Sequence, residues 1–373
     1  MSNEANRITG LDFLRGVASL AVCWFHLTSY RFTTPDGPVY EALRASGSYG
    51  WLGVEVFFVI SGFVIPYSLH RAGYRLAFYP KFILKRLVRL DPPYLASLAL
   101  IILLGLAYAY YAGRPVEVEG DGLGWARVLL HLGYLNMFFD EAWLNPAFWT
   151  LAIEFQYYLL MGLLFPLLGS RRRGVRLAAL ALFSAPAFFA DHGLIPGSGA
   201  PLSSFIFYFV FLFVMGIVTF QRRAGLAGRG EWLALVALST LGALLTVGPV
   251  PTLAGLFAVA VICLYERRNA IADFFGNISY SLYLLHWPLG HLTLSLLGAK
   301  LAADTDAEKV LILAFAHAVC FAASYLLFVA VERPAQRWSS RIRYGRRRAA
   351  SEETSGLAPA EEQPAPAFAA VSD

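Results

Sequence analysis

Charge and cysteine are both scarce in this sequence of 373 residues. Only 15% of the residues are charged, whereas a soluble domain carries about 25%. The three cysteines, Cys23, Cys263 and Cys320, have neither a CxxC nor a zinc-binding spacing, and no HExxH, GxSxG or Walker motif occurs. The sequence therefore predicts no metal site, and its composition excludes a disordered, disulfide-rich or nucleic-acid-binding protein.

Apolar residues make up 58% of the chain, and the mean hydropathy is +0.57. A membrane-spanning helix needs about 20 mostly apolar residues. We therefore predict an all-α fold, a polytopic membrane helix bundle with about ten transmembrane helices. We also expect residues 126–139 to lie in the interface or to re-enter the membrane. The predicted spans are residues 11–30, 51–70, 92–112, 147–168, 176–191, 202–220, 232–248, 250–265, 276–297 and 309–331.

The positions of the 30 basic residues predict the orientation of these spans. With a cytoplasmic N-terminus, all but six of them lie on the cytoplasmic side, so both termini are predicted to be cytoplasmic. We expect residues 1–338 to form one membrane domain and residues 339–373 to form a basic and then disordered cytoplasmic tail. The six outer basic residues are Arg31, Arg44, Arg114, Arg127, Lys300 and Lys309.

The first predicted span contains two ionisable residues, Arg15 and His26. Eleven helical residues turn through about 1100°, so both side chains project from one face, about 16 Å apart along the axis. Ionisable residues inside spans are costly and indicate function by default. The alternative is that Arg15 reaches lipid phosphate while His26 only packs. The shared face favours one connected path.

Two carboxylates, Glu55 and Glu154, are predicted at a depth similar to that of His26. A buried carboxylate needs a partner, and a His–carboxylate pair is what a general base requires. We therefore predict that His26 and Glu154 are catalytic, while Glu55 is equally consistent with helix capping. His286 lies near the middle of its span, and Tyr283 lies one turn away. Each of the two could contact substrate or have a structural role.

Arg86 and Arg89 lie three residues apart on one helical face, next to a predicted turn at Pro92 and Pro93. Two arginines in this arrangement suit bidentate binding of phosphate groups. An ordinary positive-inside loop that binds anionic lipid is the alternative.

These pieces together resemble the acyltransferase-3 family of bacterial integral-membrane O-acyltransferases. The resemblance extends from residue 8 to about residue 338, and its motifs occur in the expected order. They are LDFLRGVASLAVCWFH, GVEVFFVISGFVI, the Arg-x-x-Arg of Arg86 and Arg89, FWTLAIEFQYYLL, SYSLYLLHWP and VERP.

The resemblance implies transfer of an acyl group, often acetyl, from cytoplasmic acyl-CoA to a hydroxyl of a glycan or lipid-linked sugar. Such an enzyme would lie in the bacterial inner membrane, with acyl-CoA as its donor substrate and no bound cofactor. Arg15, Arg86 and Arg89 would hold the donor, and His26 would act as base or transient acyl carrier. We also expect Glu55, Tyr283 and His286 to contact substrate.

Several alternatives remain open from the sequence. The acceptor could be a small hydroxylated metabolite such as a macrolide, and a transporter or flippase is the main rival, because charged residues also line transport pathways. Some family members carry an additional C-terminal esterase-like domain, and we expect none after the predicted cytoplasmic tail. We therefore expect either direct transfer at His26 or a separate extracytoplasmic partner protein.

Overall fold

The computed structural model describes residues 8–113, 117–118, 121–122, 124–139, 141–190, 205–301 and 303–344. Within them the chain is almost entirely helical, which confirms the predicted all-α fold. The only extended pairing in these residues is a small hairpin in which Glu117–Val118 lies antiparallel to Asp121–Gly122. The helices are α1 (Thr9–Thr28), α2 (Pro38–Gly47), α3 (Gly53–Arg71), α4 (Tyr79–Ala112), α5 (Trp125–Leu132), α6 (Trp149–Leu168), α7 (Arg173–Ser184), α8 (Pro186–Ala190), α9 (Ile206–Arg223), α10 (Arg229–Thr246), α11 (Pro249–Leu264), α12 (Ala270–Leu301), α13 (Asp306–Leu327) and α14 (Arg333–Arg341), with a π-helical turn at Phe328–Glu332.

Six helical stretches of the described residues are long and apolar enough to cross a membrane. Nine of the ten predicted spans each overlap one long helix, whereas span 176–191 covers the two short helices α7 and α8 and ends outside the described residues. The count of ten and the side of the termini stay predictions. Arg114 and the tail from residue 345 onward lie outside the described residues. The six stretches are Thr9–Thr28, Pro38–Arg71, Leu76–Tyr111, Pro146–Leu168, Ile206–Arg223 and Asp306–Arg341.

The segment predicted to lie in the interface contains only a short helix, α5, followed by a turn at Asn136–Phe138. Eight helical residues extend about 12 Å, which is too short for a span. The ring of His131 is buried and accepts a hydrogen bond from the Leu144 amide at 3.0 Å. His131 therefore holds this turn together.

Helix α4 corrects one expectation. The predicted turn at Pro92 and Pro93 does not form, and the helix runs without interruption from Tyr79 to Ala112. Proline is tolerated within membrane helices because neighbouring groups satisfy the backbone that it leaves unpaired. Close to the two prolines, the Tyr280 hydroxyl donates to the Leu90 carbonyl at 3.0 Å and links α4 to α12. As a result, Arg86 and Arg89 lie within the bundle and not in a surface loop.

Helices α1 and α12 pack closely because glycine removes the side chains between them. A Cβ on Gly16 would lie 2.6 Å from the Ala272 carbonyl oxygen, and one on Gly276 would lie 2.5 Å from that of Asp12. Farther along, Gly290 lies against Leu27, so the two helices run in the same direction. This shared direction agrees with the predicted alternation of spans, in which both helices cross from the cytoplasmic side to the outer side.

A buried lysine joins the loop before α2 to α13. The Lys309 ammonium donates to the carbonyl oxygens of Thr34 and Pro35, at 3.2 and 2.6 Å, and to the Asp36 carboxylate at 3.2 Å. Arg44 forms a second ion pair with Asp36. These contacts hold α2 and its preceding loop against α13.

Candidate active site

A cavity with about 950 Å³ of empty space lies between α1, α3, α4, α6, α12 and the π-helical turn. Apolar side chains such as Val54, Phe57 and Phe58 form part of its wall. The polar part contains three arginines and two glutamates with several hydroxyl groups. The polar lining residues are Arg15, Ser61, Arg86, Arg89, Thr150, Glu154, Tyr158, Ser279, Tyr280, Tyr283 and Glu332.

The three arginines predicted to bind the donor converge on this cavity. Arg15 comes from α1, while Arg86 and Arg89 come from successive turns of α4, as their three-residue spacing requires. The Arg86 guanidinium lies 5.3 Å from the Phe82 ring centre and 5.5 Å from that of Tyr158, and it donates to the Ser68 hydroxyl at 3.2 Å. Its Nε is buried without a hydrogen-bond partner among the described residues. The cluster therefore has donor capacity left for a ligand.

Glu154 belongs to the arginine cluster. Its carboxylate accepts a hydrogen bond of 2.6 Å from the Ser61 hydroxyl and a further one from Tyr158, one turn along α6. No hydrogen bond or ion pair within the described part of the chain joins Glu154 to His26. The predicted depth was similar, but α6 directs this carboxylate toward α3 and the arginines.

Glu332 is a cavity residue that the sequence analysis did not single out as a site residue. It is buried at the end of the π-helical turn and accepts hydrogen bonds from the Ser281 amide at 3.1 Å and hydroxyl at 2.6 Å. The charge of Glu332 acts on both Arg15 and Arg89. In the sequence, the indication that Glu332 belongs to the site is its place in the VERP motif, which follows the last apolar run. A π-helical turn is frequent at functional sites.

His26 lies beyond the cavity, in a cluster of rings on α1 and α12. Its ring centre is 5.1 Å from that of His286 and 5.1 Å from that of Trp287. The ring centre of Trp287 in turn lies 3.6 Å from that of His291, with the two rings tilted by 34°. Thus His26 meets rings of α12 while Arg15 lines the cavity, at different levels of the bundle.

Tyr283 connects the cavity to the histidine cluster. Its hydroxyl is hydrogen-bonded to Thr150 at 2.5 Å within the cavity wall, and its ring lies 5.7 Å from that of His286. The Nδ1 atom of His286 contacts the Leu282 carbonyl oxygen at 3.1 Å, so this nitrogen carries the proton. The Nε2 atom of His286 is buried without a partner in the described residues. Its lone pair is therefore available for a proton or a ligand.

Glu55 is close enough to Tyr283 for its charge to act on that residue, but it forms no hydrogen bond or ion pair with His26 or with the arginines in the described residues. It is buried in the first turn of α3, and one of its carboxylate oxygens has no hydrogen-bond partner among the described residues. Glu55 does not line the cavity. The structure therefore places neither of the two predicted carboxylates in contact with His26.

The chemistry of the cavity favours an anionic, elongated ligand. Three guanidinium groups outnumber two carboxylates, and arginine forms paired hydrogen bonds with phosphate oxygens. The apolar part of the wall suits an uncharged arm or acyl group. In the residues that the structure describes, no cluster of three or more His, Cys, Asp or Glu side chains could hold a metal ion.

Comparison with known proteins identifies the family. A family model for an acyltransferase domain matches residues 8–331, which is nearly all of the bundle. The chain belongs to the acyltransferase-3 family. It is therefore a membrane O-acyltransferase that uses an acyl donor and a hydroxyl acceptor. This result confirms the enzyme interpretation over the transporter.

Two curated relatives show how far the similarity extends. The acyltransferase MdmB of Streptomyces mycarofaciens is 28% identical over 90% of this chain and 94% of its own length. The O-acetyltransferase OatA of Staphylococcus aureus is 30% identical over 42% of this chain but only 24% of its own length. No solved structure matches the chain.

Proposed function

We propose that this acyltransferase takes its acyl group, most simply acetyl, from cytoplasmic acyl-CoA and passes it to a hydroxyl on the outer side of a bacterial inner membrane. The acceptor in this proposal is a glycan or a lipid-linked sugar. One observation carries it: Arg15, Arg86 and Arg89, from two different helices, line one cavity. Arginines that line a cavity and outnumber its carboxylates suit the phosphates of CoA.

The donor would occupy the cavity with its phosphates on the arginines. The carboxylates of Glu154 and Glu332 hold the positive charges in place when the donor is absent, because uncompensated buried charge is strongly destabilising. The apolar wall near Phe57 and Phe58 would accept the uncharged arm of the donor. The thioester would then point toward Tyr283 and the histidine cluster.

In the direct reaction, His26 would take the proton of the acceptor hydroxyl. The hydroxyl oxygen attacks the thioester carbonyl carbon, the carbon–sulfur bond breaks, and CoA leaves as a thiolate that recovers a proton. In a relay, a His26 nitrogen first attacks the thioester, and the acceptor then takes the acyl group from the imidazole. His286, with its unpartnered Nε2 facing the same cluster, would assist proton movement in either case.

Purified protein in lipid nanodiscs tests the donor. Incubation with radiolabelled acetyl-CoA should release free CoA in a time-dependent manner, measured with a thiol reagent, once an acceptor is added. Glycan fragments, lipid-linked sugars and small hydroxylated metabolites added separately identify the acceptor class. Protein that leaves acetyl-CoA intact with every acceptor, while active with another acyl donor, would contradict the proposal.

The sidedness of the reaction needs sealed vesicles. In inside-out vesicles acetyl-CoA added from outside should be consumed, and in right-side-out vesicles it should not. If a separate extracytoplasmic protein completes the transfer, purified protein should release CoA only after a periplasmic extract is added. Equal use of the donor in both vesicle orientations would contradict the proposed direction.

A further inference from the structure

One face of α3 continues beyond the cavity to the basic end of the bundle. Val54, Phe57, Ser61 and Val64 line the cavity, and Val64, Ser68 and Arg71 line a second hollow below it. These positions follow one another at intervals of three and four residues, so they form a single stripe. From Ser61 to Arg71 the stripe is about 15 Å long.

The second hollow, which we call the inner vestibule, lies between the start of α1 and the end of α3. It has about 830 Å³ of empty space. Val64 belongs to both walls, and Ser68 in the vestibule accepts the hydrogen bond from Arg86 in the cavity. The two spaces are therefore neighbours along α3. The vestibule is lined by Ile8, Leu11, Val64, Tyr67, Ser68, Arg71 and Ala72.

An aromatic ring and a cation lie side by side in the vestibule. The guanidinium of Arg71 is 5.8 Å from the centre of the Tyr67 ring, and that ring stacks on Phe63 at 5.5 Å. Arg71 is exposed, and in the described residues no carboxylate lies within ion-pair distance of it. Tyr67 is half-buried and its ring packs on that of Phe63, so the position of the Tyr67 ring is fixed.

We propose that the inner vestibule binds the nucleotide end of acyl-CoA, an inference that rests on the proposed function. Tyr67 packs against the adenine ring, and Arg71 pairs with a phosphate of the nucleotide. The remaining phosphates and the uncharged arm follow the α3 stripe past Ser68 to Arg86 and the cavity. Aromatic stacking and an arginine–phosphate pair are common elements of nucleotide recognition.

The phosphate of a membrane lipid could satisfy Arg71 by the same chemistry. A lipid headgroup offers no adenine, so only a nucleotide uses both Tyr67 and Arg71. The two sources of phosphate can also be distinguished by the lipid composition of the bilayer. Lipid binding depends on the anionic lipid content, whereas donor binding depends on the donor.

The test compares two donors in the full-length protein. Acetyl-CoA contains the nucleotide, and acetyl-pantetheine lacks it. In nanodiscs, Arg71→Gln and Tyr67→Leu should each raise the KM for acetyl-CoA, about tenfold for Arg71, with kcat unchanged. Neither variant should change the KM for acetyl-pantetheine. Tyr67→Phe, which keeps the ring, should raise the KM for acetyl-CoA less than Tyr67→Leu does.

Arg75→Gln is the matched control, because Arg75 is exposed on the same side of the bundle but does not line the vestibule. An unchanged KM for acetyl-CoA in Arg71→Gln, an equal change for both donors, or an effect that appears only with anionic lipid would overturn the inference. In those cases a wild type that consumes acetyl-CoA still supports the proposed function. Wild-type protein that uses neither donor overturns both.

Discussion

The Ser61 hydroxyl donates a hydrogen bond of 2.6 Å to the Glu154 carboxylate, across the contact between α3 and α6. This bond orients the carboxylate toward the arginines that line the cavity. In turn, the charge of Glu154 acts on Arg15 and Arg89. Glu154 therefore balances the positive charge of the cavity, a role that differs from the predicted pairing with His26.

This arrangement makes a stability prediction for Glu154→Gln. The amide keeps the shape of the side chain but removes the charge that offsets the arginines. We expect the free energy of unfolding to fall by about 1–3 kcal/mol, the size of a hydrogen bond to a charged group. Ser61→Ala should lower the free energy of unfolding by part of the same amount. The double variant should lower it by less than the sum of the two single variants. Thermal unfolding of the purified variants measures all three.

The same variant separates the two roles of Glu154 by its pH dependence. If the carboxylate acted on His26, Glu154→Gln would move the acid limb of the pH–rate profile. Since Glu154 bonds to Ser61 and Tyr158 instead, the acid limb should stay in place while the donor KM changes. A displaced acid limb would restore the dyad predicted from the sequence.

His26→Ala should abolish acyl transfer and leave the protein folded. Loss of a general base lowers the rate by about 10²–10⁴. His317→Ala is the control, because His317 lies on α13 and its Nδ1 contacts the Leu313 carbonyl oxygen one turn earlier. Turnover is measured at equal membrane abundance. Normal turnover in His26→Ala would remove His26 from the mechanism.

Arg89→Ala should weaken use of the acyl donor more than use of the acceptor. We expect the KM for acyl-CoA to rise about tenfold or more, because a charge-assisted contact with phosphate is lost. Arg89→Lys should recover only part of the affinity, since lysine lacks the planar pair of donors. Lys81→Ala, on the same helix but outside the cavity, should be neutral. An effect restricted to the acceptor KM would refute the assignment.

Gly16→Ala should destabilise the bundle, although alanine is the better helix former. The new Cβ would meet the Ala272 carbonyl oxygen at 2.6 Å, so α1 and α12 must separate. Overpacking of this kind costs about 1–3 kcal/mol. Gly174→Ala, where no atom lies within 4 Å of the new Cβ, should be neutral or stabilising. Thermal unfolding of the two variants in one detergent compares them directly, and equal stability would contradict the close contact.

The sequence predicted those features that depend on one helix at a time. Apolar length located the helices, and the helical repeat predicted one shared face for Arg15 and His26. The three-residue spacing of Arg86 and Arg89 likewise predicted one face for both, and the two side chains line one cavity. Each of these properties follows from the geometry of a single helix.

Contacts between helices were less accessible to prediction. Depth in the membrane alone suggested that Glu154 contacts His26. The orientation of α6 about its axis instead brings the Glu154 carboxylate to the Ser61 hydroxyl. The hydroxyl of Tyr280 links α12 to the Leu90 carbonyl of α4, which lies 190 residues away in the chain. Glu332 acquires its place in the cavity only through the π-helical turn. Such pairings require the tertiary structure.

The contacts of Lys309 with the loop before α2 have a consequence for biosynthesis. The Asp306 carboxylate on the same turn also accepts hydrogen bonds from the amides of Gly37 and Val39, and the first of these bonds joins residues 269 positions apart. During translation α1 and α2 are inserted long before α13 exists, so Asp36 has no Lys309 to meet. The first helix therefore has α2 and α3 beside it early, but it lacks α12, against which Gly16 packs, until that helix has been synthesised.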